Sequence, residues 1–266
     1  MDCYRILQED EVFGIRYAVT DMAEAIPFFL YNLRSFSGDY ICFSNVHTLV
    51  TAVENEEYRE ALNGSGITFP DGAPVAARLR ATGNARARRV AGPDFMQEVM
   101  KETSDGHVKH FFYGSTPETL RALTGELKSA YPSLCISGAY APPLGKLSEN
   151  EEKEIVRIIN EASPDIIWVG LGAPAQELFM ADHKKVFRGV MMGVGAAFDF
   201  LARTKKRAPV FMQKMHLEWL YRLVTEPKRL AGRYFVTNTR FIMYCLAAFR
   251  SRISHSMRDH DPKHLV

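Results

Sequence analysis

Five short apolar runs recur along this chain without the polar alternation of a half-exposed strand: Tyr40-Ile-Cys-Phe-Ser44, Ile67-Thr-Phe69, His110-Phe-Phe-Tyr113, Ile166-Ile-Trp-Val169 and Val190-Met-Met-Gly-Val194. Side chains of a strand point alternately to its two faces, so a strand wetted on one side reads apolar, polar, apolar; a run that does not alternate is covered on both. Most of the runs end near Gly, Pro, Asp or Asn, the residues that turn a chain. Helical patterns fill the gaps: residues 47–62, the segment after Thr116-Pro117, and residues 148–159, where Ser148 followed by Glu151 matches a capping box. Alternating helices and doubly covered strands predict an α/β fold, a Rossmann-like, mainly parallel sheet flanked by helices, with ligands gathered beyond the strand C-terminal ends. The stretch Gly138-Ala-Tyr-Ala-Pro-Pro-Leu-Gly145 reads as an irregular loop.

After residue 202 the pattern changes. Phe211, Met215, Trp219 and Leu223 lie four apart, on one face of a helix that Pro227 interrupts; Arg229, Arg233 and Arg240 follow at offsets of 4 and 7, on one face of a second helix. The charge changes with it. Residues 1–202 hold 19 Lys or Arg against 27 Asp or Glu, and residues 203–266 hold 14 against 4, so the formal net charge of +2 is what remains of −8 and +10. A polyanion or an anionic lipid surface would meet a basic C-terminal quarter on a mildly acidic body. The expected organisation is an α/β catalytic core over 1–202, a basic helical C-terminal appendage over 203–254 and a disordered tail over 255–266, whose three histidines are weak metal evidence.

Several function classes lose support. The four cysteines, Cys3, Cys42, Cys135 and Cys245, are far apart and include no CxxC, which fits a reducing cytosol better than a disulfide framework or a cysteine zinc site. The N-terminus, with Glu9, Asp10 and Glu11, lacks the basic flank and apolar core of a secretion signal, and the late apolar stretch over 241–249 is far short of the roughly 20 residues of a spanning helix. There is no GxGxxG, no GxxxxGK[ST], no HExxH and no Gly-x-Ser-x-Gly, against dinucleotide, ATP-loop, metalloprotease and serine-hydrolase chemistry respectively.

The loops after the strands hold the candidate site. In Phe69-Pro-Asp71-Gly72 an acid follows an apolar run directly, fitting either a general base at the crevice or an ordinary Asp-Gly turn. Asp199, in Gly193-Val-Gly195-Ala-Ala-Phe198-Asp199, carries the same two readings, ligand contact or turn stabilisation, and ranks below Asp71. In Gly170-Leu-Gly172-Ala-Pro174-Ala-Gln176-Glu177 the glycines permit close backbone approach, and the helix that follows offers unpaired N–H groups to a nucleotide diphosphate. Gln176 adds an uncharged donor and acceptor suited to a sugar hydroxyl or a pyrimidine edge, or is simply an exposed helix-start residue. Gly193 and Gly195 repeat the pattern, and His47 follows a strand closely enough for a minor role.

Taken in order, Asn45, Pro70-Asp71-Gly72, Arg89-Val-Ala-Gly-Pro-Asp94, the 170–177 and 193–199 segments and Glu218-Trp-Leu-Tyr-Arg-Leu-Val-Thr-Glu-Pro227 resemble the WecG/TagA/CpsF glycosyltransferase family, as an ordered series over residues 15 to 249. The resemblance implies a GT-E-like fold and an inverting, metal- and cofactor-independent transferase. Such an enzyme moves a sugar, possibly of N-acetylmannosamine type, from a UDP-sugar to a polyprenyl-diphosphate-linked saccharide at the cytoplasmic face of the plasma membrane, in cell-surface polysaccharide synthesis. It also implies Asp71 as the catalytic aspartate, Arg89 and Gln176 as substrate contacts, and Arg222, Arg229 and Arg233 as the appendage arginines that meet substrate diphosphate. The family often carries Thr-x-Asn ahead of the aspartate; this chain reads Phe43-Ser44-Asn45, so a threonine role does not transfer to Phe43. Asn45 is retained. Ser44 offers a hydroxyl one residue away, on the opposite strand face.

Alternatives at this level are a glucosyl- or glucuronosyltransferase of exopolysaccharide assembly, a nucleotide-binding oxidoreductase, and a non-enzymatic lipid- or nucleic-acid-binding protein in which the arginines matter and Asp71 does not. The transferase reading expects peripheral membrane association and no nucleic-acid partner, and is compatible with a homo-oligomer.

Overall fold

The computed structural model describes residues 7–143, 145 and 147–258, with side chains as far as Arg250. An antiparallel hairpin, β1 (Glu9–Val12) and β2 (Ile15–Ala18), turns at Phe13 and Gly14 and precedes α1 (Met22–Tyr31), whose first turn is capped by the Asp21 side chain. Then come β3 (Tyr40–Ser44), α2 (Val46–Glu54), α3 (Glu56–Asn63), β4 (Ile67–Pro70), α4 (Ala73–Ala81), α5 (Gly92–Glu102), β5 (Lys109–Gly114), α6 (Pro117–Ala130), β6 (Cys135–Tyr140), α7 (Glu149–Ala162), β7 (Ile166–Gly170), α8 (Ala175–Asp182), β8 (Val190–Gly193) and α9 (Ala197–Leu201). The appendage is α10 (Val210–Lys214), α11 (Glu218–Thr225) and the long α12 (Pro227–Arg258). The fold is the expected one: a parallel six-stranded sheet, order β4-β3-β8-β7-β5-β6, flanked by helices and followed by a helical C-terminal extension.

Non-alternation has its predicted cause. Ile41, Phe43, Phe112, Trp168 and Met192 join one apolar core, while Tyr40, Cys42, Ile167, Val169 and Met191 join a second on the other face of the sheet. All five runs are strands.

Three readings are corrected. Residues 47–62 are two helices, because Asn55 ends α2 with its backbone N–H on Thr51 and caps α3 by accepting from Tyr58 N. The loop read at 138–145 begins as strand: Gly138-Ala-Tyr140 complete β6, an edge strand with a register shift where it pairs His110 and Phe111. A Cβ at Gly138 would lie 2.4 Å from the Phe111 ring, so glycine there serves close packing within a strand. The helix drawn through Phe211, Met215, Trp219 and Leu223 is broken into α10 and α11, with His216 left-handed at φ 58 between them; Phe211, Met215 and Trp219 remain exposed. The β1–β2 hairpin has no apolar run to announce it. Of the tail read at 255–266, residues 259–266 lie outside the described residues, and α12 reaches Arg258.

Strand order fixes the place of the site. The chain builds β3 and β4 toward one edge and β5, β6 and β7 toward the other, and β8 then fills the gap between β3 and β7. The loops after β3, β4, β7 and β8 therefore converge on the crevice where the winding reverses.

Candidate active site

A cavity of about 780 Å³ opens at this crevice and is closed on its far side by the appendage. Asp71 follows β4 directly; its backbone N–H bonds Ser44 O at 2.9 Å, and a Cβ on Gly72 would crowd the Asn45 backbone at 3.3 Å, so the loops after β3 and β4 are held together. Arg89 binds the aspartate twice, Nε to the backbone carbonyl at 2.6 Å and Nη2 to Oδ1 at 3.3 Å. Burial raises the Asp71 carboxyl above its ordinary pKa, Arg89 opposes this, and the Glu218 and Asp94 carboxylates add to it. Such a group is a stronger base than a free carboxylate and faces the cavity.

Two loops form the opposite wall. Gly170 and Gly193 are close-packed, since a Cβ at the first would lie 2.7 Å from the Phe198 ring and at the second 2.7 Å from Met180 Cε. Gly172 and Gly195 are needed for their backbone, at φ +79 and +52. Gln176 is buried, not exposed at a helix start: its Nε2 donates to Glu177 Oε1 at 2.7 Å and Gly193 O at 3.1 Å, and its Oε1 accepts from Gly172 N at 3.2 Å. The amide ties the β7 loop to the end of β8, and both of its N–H groups are already engaged. Asp199, on α9, faces the cavity and pairs with Lys205 at 2.9 Å.

Ser44 is not in the cavity wall. Its hydroxyl is buried on the other face of β3, 2.8 Å from Tyr17 Oη and 2.9 Å from Thr48 Oγ1, so the substitution of Ser44 for the family threonine has no geometric support. Phe43 does reach the cavity, and its ring packs against Phe69 and Phe95 at 5.6 and 5.3 Å. Asn45 lines the cavity while capping α2 through bonds from His47 N and Thr48 N.

From the appendage, Arg222, Arg229 and Arg233 all face the cavity. Arg222 lies 5.9 Å from the Phe200 ring centre, and Arg229 pairs with Glu226 of its own segment. Arg233 sits near His47, whose imidazole is pushed down to about 4 by burial and by that guanidinium, and is therefore neutral at pH 7. Arg240, grouped with these by spacing, turns to Glu54 on α2. Among the described residues no group of three or more His, Cys, Asp or Glu side chains is arranged to hold a metal ion.

Residue patterns missed a partly buried charge network. Glu218, at the start of α11, accepts from Arg89 Nη2 at 3.1 Å and from Arg207 Nε at 3.0 Å, and Arg207 also reaches Asp94 at 2.5 Å. Glu218 and Asp94 stand in motifs that carried the resemblance, but only the fold brings positions 71, 89, 94, 207 and 218 together.

This constellation has relatives. The model of the Glycosyl transferase WecG/TagA/CpsF family matches residues 11–255. The chain belongs to this glycosyltransferase family. It is 30% identical over 250 residues to the N-acetylglucosaminyldiphosphoundecaprenol N-acetyl-beta-D-mannosaminyltransferase of Staphylococcus aureus (strain NCTC 8325 / PS 47), covering 91% of this chain and 94% of that one. The protein of the same name from Bacillus subtilis (strain 168) is 30% identical over 223 residues, covering 79% and 85%. The WecG/TagA/CpsF member described here is accordingly an enzyme that transfers sugar, and the oxidoreductase and non-enzymatic readings fall away.

Proposed function

We propose that the enzyme transfers a sugar, with inversion, from a UDP-sugar to a saccharide carried on a polyprenyl diphosphate, in cell-surface polysaccharide synthesis at the cytoplasmic membrane face. The names of the relatives favour N-acetylmannosamine as the donor sugar and an N-acetylglucosaminyl diphospholipid as the acceptor. The observation that carries the reading is Asp71 on one side of the cavity, with Arg222, Arg229 and Arg233 closing the other.

Asp71 takes the proton of the acceptor hydroxyl as that oxygen bonds the anomeric carbon and the bond to UDP breaks, its electron pair leaving on the diphosphate. The arginines stabilise that charge. Asn45, Gly170, Gly172, Gly193, Gly195 and Asp199 shape the donor side. Peripheral membrane association is supported by the appendage surface. Twelve of the fourteen large apolar side chains most exposed among the described residues are on it, Phe211, Trp219 and Phe235 included, beside its basic charge. No helix among the described residues is long and apolar enough to cross a membrane.

The test is turnover of a panel of UDP-sugars with an N-acetylglucosaminyl diphosphate on a short-chain lipid, the product linkage read by NMR. UDP-N-acetylmannosamine is expected to react. Asp71→Asn should lower kcat by about 100- to 10,000-fold with the fold intact. Failure with every donor, or near-wild-type turnover by the variant, overturns the reading.

A further inference from the structure

The described part of the appendage contains two acids, Glu218 and Glu226, in an otherwise basic segment. They behave differently. Glu226 pairs with Arg229, three residues on and half exposed. Glu218 is 8% exposed and reaches away from its own helix, between Arg89 and Arg207. Burying a carboxylate costs free energy that an exposed docking pair would avoid, and its position shows what the contact reaches. Arg89 Nη2 is shared by Asp71 Oδ1 at 3.3 Å and Glu218 Oε2 at 3.1 Å, while Arg89 Nε holds the Asp71 carbonyl.

We propose that Glu218 is a positioning residue that acts through Arg89 on Asp71, so that the general base is set only when the appendage is seated on the core. Sharing the guanidinium holds Arg89 to one oxygen of Asp71 and keeps it from closing on both, the bidentate pairing that arginine favours with a lone carboxylate. It also leaves the aspartate more basic, because Glu218 offsets part of the Arg89 charge. The other charges facing Asp71 are Asp94 on α5 and Arg222 on α11; those facing Glu218 are Arg89 and Arg207. Arg229, Arg233, His47, Lys205 and Asp199 line the same cavity. The appendage thereby contributes to the proton-transfer side of the site as well as its diphosphate side. This inference rests on the general-base reading of Asp71.

Its test is the pH dependence of kcat for the full chain, with the best donor of the UDP-sugar panel and the short-chain acceptor. A base must be deprotonated to act, so kcat falls below the apparent pKa of Asp71 in the complex. Glu218→Gln removes a negative charge, and its acid limb should move down by about one pH unit, with plateau kcat falling roughly 10-fold and donor KM holding within about 2-fold. Arg207→Gln removes a positive charge from the far side of Glu218, and its acid limb should move up. Glu218→Asp keeps the charge and should keep the wild-type limb. Limbs in both Gln variants that coincide with wild type, or move the same way, overturn the proposal. If circular dichroism shows Glu218→Gln unfolded, the Arg207→Gln and Glu218→Asp limbs decide by the same criteria; if no variant folds, Glu218 is a structural latch and the proposal is overturned. Turnover by Asp71→Asn defeats the base reading itself, whereas an inactive Asp71→Asn beside unmoved limbs defeats only the role of Glu218.

Discussion

Glu177 neighbours the candidate donor loop, and its carboxyl is pushed up to about 7, chiefly by burial, against the bond donated by Gln176. A carboxyl whose folded pKa lies above its unfolded value of 4.5 favours folding fully below pH 4.5 and loses that contribution as pH rises toward 7. At about 1.4 kcal/mol per unit, the loss is on the order of 3 kcal/mol by neutral pH. Glu177→Gln, neutral at every pH and still able to accept from Gln176, should therefore melt higher than wild type at pH 7.5, with the difference vanishing near pH 4; equal melting temperatures at pH 7.5 would contradict the assignment. Residue type in the sequence names Glu177 but not its burial. The same holds for Gln176, which fits either a substrate contact or an exposed helix start by residue type, and is buried with its amide already bonded. The place of Asp71 was legible as one of two readings, because an acid directly after a buried strand stands either at the crevice or in a turn, and it lines the cavity.

Elements were legible where local chemistry decides them. The Ser148 and Glu151 capping box forms as read, with Ser148 accepting from Glu151 N while Glu151 accepts from Ser148 N. Ser148→Ala should destabilise the protein by about 1 kcal/mol in urea titration and leave sugar transfer unchanged, since α7 supplies no residue to the cavity. Where tertiary contact decides, the pattern misleads. Four-residue spacing drew one helix through Phe211 and Trp219, yet a left-handed His216 breaks it and aims Glu218 at the core. β6 is only half-buried along its length and does not carry the unbroken apolar run of the buried strands.

At the scale of the molecule, an acidic-leaning body carries a basic appendage that exposes most of the large apolar side chains exposed among the described residues. Of the two tryptophans, Trp168 is fully buried in the sheet and Trp219 is 46% exposed on α11. Anionic vesicles should shift the emission to the blue through Trp219, and the shift should vanish in Trp219→Phe and weaken at high salt; an unchanged spectrum with sedimenting vesicles would place the contact elsewhere. By itself the sequence determined the parallel, doubly covered sheet, the crevice loops and the uneven charge, because periodicity, turn residues and charge counts are properties of neighbours along the chain. Only the tertiary structure decided that Ser44 turns away from the site, that Arg240 leaves the arginine face, and that Glu218 joins Arg207 to the arginine holding Asp71. Each of those depends on a side chain's partner far away in sequence, and that partner is chosen by packing, not by local pattern.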